Sequence, residues 1–94
     1  MFRESWLKCR ISDGAFPSEF VVIGSSSQGQ DFSFFASHEM LRFDEALPLI
    51  GEIEGLVRVH LLLSSGDVSL ISLPVTPLES SQTVTVPSNQ LVAA

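Results

Sequence analysis

Tyrosine is absent from this 94-residue chain, and cysteine, tryptophan and positive charge are scarce, with one Cys, one Trp and five Lys plus Arg. A single cysteine, Cys9, excludes an internal disulfide and a cysteine-based zinc cluster, and nothing points to an oxidising compartment. Five cations against eleven Asp plus Glu give a net charge of -6. Such a balance repels a phosphate backbone unless the cations gather on one face, so nucleic acid is not the expected partner. Long apolar runs are also missing. Leu61–Leu63 and Phe20–Ile23 are the longest, far short of the roughly 20 residues that span a bilayer. The opening Met1-Phe2-Arg3-Glu4-Ser5-Trp6 has no apolar core of a secretory signal. The expectation is a soluble, cytoplasmic protein with no membrane association.

Signatures of catalysis and cofactor binding are missing too. There is no Gly-x-Ser-x-Gly elbow, and Gly24–Gly29 carries no Lys and precedes no helix, so it is no phosphate loop. His38 and His60 are too few and too far apart for metal-ligand spacing. Cys9, on the apolar phase of a strand, reads as buried and inert. No enzyme activity, metal or cofactor is expected.

What the chain does have is apolar residues in alternation. Hydrophobic residues make up 45% and charged ones 17%, with a mean hydropathy of +0.33, which excludes disorder and indicates one small folded unit. Residues 5–12 alternate Leu7, Cys9 and Ile11 with Lys8 and Arg10, the period-two signature of a strand. Strands are predicted next over 19–25 and 31–36, then a helical turn near 37–40 and a short extension at 41–43. Asp44–Gly55 carries four acids, one Pro and two Gly, and reads as a connector. Residues 56–63 alternate again, Ser65-Gly66-Asp67 makes a hairpin turn, and strands follow over 68–73 and 83–86.

Leu7–Ile11 and Val57–Leu61 match in phase at an offset of 50, and Phe35–Leu41 and Val86–Val92 match at 51. The order strand, strand, strand, helical turn, short strand therefore occurs twice. Each half, 1–43 and 56–94 around the acidic connector 44–55, sits at the size limit for folding alone, about 40 residues. The predicted fold is all-β: two tandem small barrel halves packed with pseudo-twofold symmetry, one helical turn in each.

The stretch Val84-Thr85-Val86-Pro87-Ser88-Asn89-Gln90-Leu91-Val92 resembles the end of a Src-homology-three barrel, where a strand gives way to a one-turn helix and then a final strand. Phe34–Leu41 is a weaker echo, and KOW-type barrels end similarly. The resemblance implies the fold of each half. It does not extend to proline-peptide binding: there is no Tyr, Gln90 stands where the groove tyrosine would follow Pro-Ser-Asn, and the second half has no paired Trp.

Two sets of residues stand out as partner-binding candidates. All eight aromatics lie in the first 43 residues. Phe34 and Phe35 are adjacent in a strand, so one must leave the core; with Trp6 and Phe16 it is expected to form an exposed aromatic patch. Lys8, Arg10, Arg58 and His60 share the outward phase of equivalent strands and are expected to form a basic stripe. The expected function is a non-enzymatic protein-interaction or assembly module working through sheet edges and an aromatic face, a second copy of the chain being one such partner. The alternatives are a KOW-type nucleic-acid-binding barrel and a small hydrolase or ligand-binding domain.

Overall fold

The computed structural model describes residues 3–14, 16–44, 51–77 and 81–93. Eight strands run in chain order: β1 Arg3–Asp13, β2 Glu19–Ser25, β3 Asp31–Ser37, β4 Leu41–Arg42, β5 Ile53–Ser65, β6 Val68–Ser72, β7 Thr83–Pro87 and β8 Leu91–Ala93. Single 3-10 turns, His38–Met40 and Ser88–Gln90, precede β4 and β8. The chain is all-β, as expected. Its one antiparallel sheet has the order β3-β2-β1-β5-β6-β7.

The spine of that sheet is the long ladder between β1 and β5, in register from Arg3↔Leu61 to Ile11↔Ile53 and centred on Leu7↔Val57. The other edge of β1 is shared by β8, at Ser5–Leu7, and β2, at Arg10–Asp13. The other edge of β5 is shared in the same way by β4, at Leu56–Val57, and β6, from His60 onward. The sheet is curled: the turn after β2 reaches the far end of the strand order, where the Ser27 N–H donates to the Thr85 carbonyl at 2.8 Å. Curling encloses Leu7, Cys9, Ile11, Val57 and Val59 of the spine with Val22, Phe32, Phe34, Ala36, Ile71, Leu73 and Val86 of its flanks. This enclosed face supplies the hydrophobic stabilisation, about 1.5–3 kcal/mol for each large side chain buried.

Two departures from the sequence expectation have clear causes. β5 begins at Ile53, inside the stretch read as connector, because Ile53 buries itself opposite Ile11 and extends the ladder; connector residues 45–50 lie outside the described residues. The run Leu61-Leu62-Leu63 does not alternate because the register with β6 shifts between Leu61 and Leu63. A bulge of this kind inserts one unpaired residue and turns the next one outward, and Leu63 is exposed.

Candidate functional site

The outer face of the spine carries the expected basic residues. Across the ladder the outward pairs are Glu4↔His60, Trp6↔Arg58, Lys8↔Leu56 and Arg10↔Glu54. Because the strands are antiparallel, the positive line runs along β5 through His60 and Arg58, then crosses to β1 at Lys8 and Arg10. Lys8, Arg10 and His60 are exposed and Arg58 is half-buried. Glu4 and Glu54 flank the two ends, so the line is most positive at its centre. Arg10 is further occupied by Asp31 at 3.4 Å and Glu52 at 3.6 Å; both pairs are solvated and contribute little to stability. The Ser25 hydroxyl donates to Asp31 at 2.7 Å. That bond and the Arg10 charge hold the Asp31 carboxyl below its ordinary range.

Trp6 is not part of an exposed patch. Its phase does place it on the outer face, but it is buried at 8% exposure, beside Arg58 on β5 and Val92 on β8. The Arg42 guanidinium lies over its ring, 4.4 Å from the centroid. Arg42, which the sequence did not single out, therefore joins the basic line from β4, where it pairs across to Leu56. With Lys8, Arg10, Ile23, Ser25 and Leu56 it lines a trough of about 920 Å³ that Glu54 and Asp44 also border. Among the described residues neither Lys8 nor Arg42 has an ion-pair partner.

Phe34 is likewise removed from the patch: it points inward and stacks on Phe32 at 6.4 Å between centroids. Its neighbour Phe35 takes the outer face and is 43% exposed. Phe16, 69% exposed, is presented by a turn closed by the Gly14 N–H to Glu19 carbonyl bond and the Glu19 N–H to Phe16 carbonyl bond. Phe16 and Phe35, with Pro17, Ala36 and Met40, line a groove of about 330 Å³ alongside β3. Two of the four candidate aromatics thus meet on one surface, and the other two are packing residues.

Cys9 is buried beneath the spine, where its thiol donates to the Gly55 carbonyl at 3.6 Å. Burial pushes its pKa up to about 12, which keeps it a neutral and poor nucleophile. Among the described residues no group of three or more His, Cys, Asp or Glu is placed to hold a metal ion, and no helix is long and apolar enough to cross a membrane. No protein-family model matches the chain, and no curated protein or solved structure matches it either.

Proposed function

We propose that this protein is a non-enzymatic assembly module, built from two interlocked copies of one β motif, that joins a second copy of itself through the edge of β3. The duplication is supported by the pairing register. A shift of 50 residues carries Leu41↔Val57 onto Leu91↔Leu7 and Arg42↔Leu56 onto Val92↔Trp6. The same shift carries the turn His38–Met40 onto Ser88–Gln90. Ile11↔Val22 recurs as Leu61↔Ile71. Each half thus lends its last strand to the other half's first, in the manner of a fused intertwined dimer, and the order of three strands, a 3-10 turn and a short strand in each half supports the Src-homology-three resemblance.

The observation that carries the assembly role is the inequality of the two sheet ends. The edge of β7 is engaged by Ser27 at Thr85, whereas no backbone bond reaches the outer edge of β3 from any described residue outside β2. An uncovered strand edge templates strand addition. β3 has no Lys, Arg or Pro to deter it, and its one charge, Asp31, sits at the end. Antiparallel pairing of two β3 strands about Phe34 sets Asp31 opposite Ser37, so no like charges meet. The two Phe16 and Phe35 pairs then cover each other's grooves. Sedimentation equilibrium tests this. A concentration-dependent dimer is expected, and Phe35→Asp should leave a folded monomer; wild-type protein at the mass of one chain at all concentrations overturns it.

A further inference from the structure

We infer that the trough on the outer face of the spine is a second binding site, distinct from the β3 edge, and that its ligand is an extended acidic peptide segment. An acidic protein with five Lys plus Arg places three of them, Lys8, Arg10 and Arg42, around this one trough. Arg10 is held by Asp31 and Glu52, while among the described residues Lys8 and Arg42 have no ion-pair partner. Arg42 is held by a ring: its guanidinium carbon stands 4.4 Å from the Trp6 centroid, and among the described residues no carboxylate occupies its N–H groups, the donors that grip a carboxylate in a two-pronged pair. Ordering the side chain in advance lowers the entropic cost of binding.

The spacing suits a peptide. Arg42 and Lys8 pair with Leu56 from its two sides, so their backbones stand two strand spacings apart, about 9.5 Å. Alternate residues of an extended chain lie about 6.7 Å apart on one face, a gap that two long cationic side chains close easily. One carboxylate then meets Arg42 and the next meets Lys8, with Leu56 as an apolar floor between them. The related place in the second half is built differently. Fifty positions on from Arg42 stands Val92, and fifty before Leu56 stands the buried Trp6. That place has lost a cation and is filled by the indole.

Trp6 is the protein's sole tryptophan and lies under Arg42, so its emission reports what happens to that trough-lining side chain. Titration with hexaglutamate should give a saturable change that salt weakens, with hexalysine silent. Backbone amide shifts read by NMR should localise to Lys8, Arg42 and Leu56. Affinity should fall about tenfold in Arg42→Gln, a loss of about 1.4 kcal/mol, and severalfold in Lys8→Gln, which leaves the Trp6 stack in place. Run in the Phe35→Asp background, the titration is independent of self-association. An unchanged protein in millimolar hexaglutamate overturns the proposal, as does equal affinity in Lys8→Gln and Arg42→Gln. Tighter binding of hexathymidylate than of hexaglutamate overturns it in favour of single-stranded nucleic acid.

Discussion

Gly24 faces Phe32 across β2 and β3, whereas at the corresponding end of the second half Leu73 meets Gln82, its N–H donating to the Gln82 carbonyl and its own carbonyl accepting from the Gln82 side chain. Both corners fill the same kind of space by opposite means. In one, a ring packs onto bare backbone: a Cβ on Gly24 would stand 2.5 Å from Cζ of Phe32. In the other, the leucine is the filler and the facing residue is polar. Packing at facing positions needs complementary volumes, which different pairs of side chains can supply. The two parts of the sheet accordingly differ in composition, all eight aromatics lying in the first 43 residues.

The contrast can be broken most forcefully at Phe34 and its counterpart Val84. Phe34→Ala should cost about 3–5 kcal/mol; Val84→Ala, at a half-buried position, should cost about 1 kcal/mol. Urea unfolding compares them directly, and equal losses would mean that the second half contributes as much core as the first. Gly24→Leu comes next, at about 1–3 kcal/mol through overpacking. Adding Phe32→Gln, which installs the second-half solution in the first, should recover at least about 1 kcal/mol in a double-mutant cycle. The smallest effect separates Cys9 from Val59, which stands 50 residues on. Because burial raises the Cys9 pKa from 9.0 to about 12, the neutral thiol's contribution is complete below pH 9 and is lost as pH climbs from there towards 12, where the unfolded chain ionises first. Cys9→Val should flatten that alkaline decline in thermal melts.

Much of the framework was legible because alternation is a local signal. β2 falls on the predicted 19–25, the hairpin turn on Gly66-Asp67, and the helical turns on 38–40 and 88–90. What the sequence could not supply was decided by contacts across long separations. The seating of β4 on β5 and of β8 on β1 has no local signature. Trp6 has the phase of an outward residue, and it comes to be covered by Arg42, 36 positions away, between its strand neighbours Arg58 and Val92. Arg42 itself sits in a two-residue strand, too short for periodicity to give it a face. Phe34 and Phe35 were separable in principle, since one had to turn inward, but which one depended on the register with β2.

The crossing of strand ends between halves also shapes how the molecule comes into being. During synthesis β1 emerges first, yet one of its edges waits for β5 and part of the other for β8, more than eighty residues later. Of the strands of this sheet, the earliest in the chain is the last to have its edges filled. Loop closure over such distances slows folding relative to helical domains of this length. Until the final rungs zip, the greasy underside of β1 lies open to the cell's chaperones and to neighbouring nascent chains.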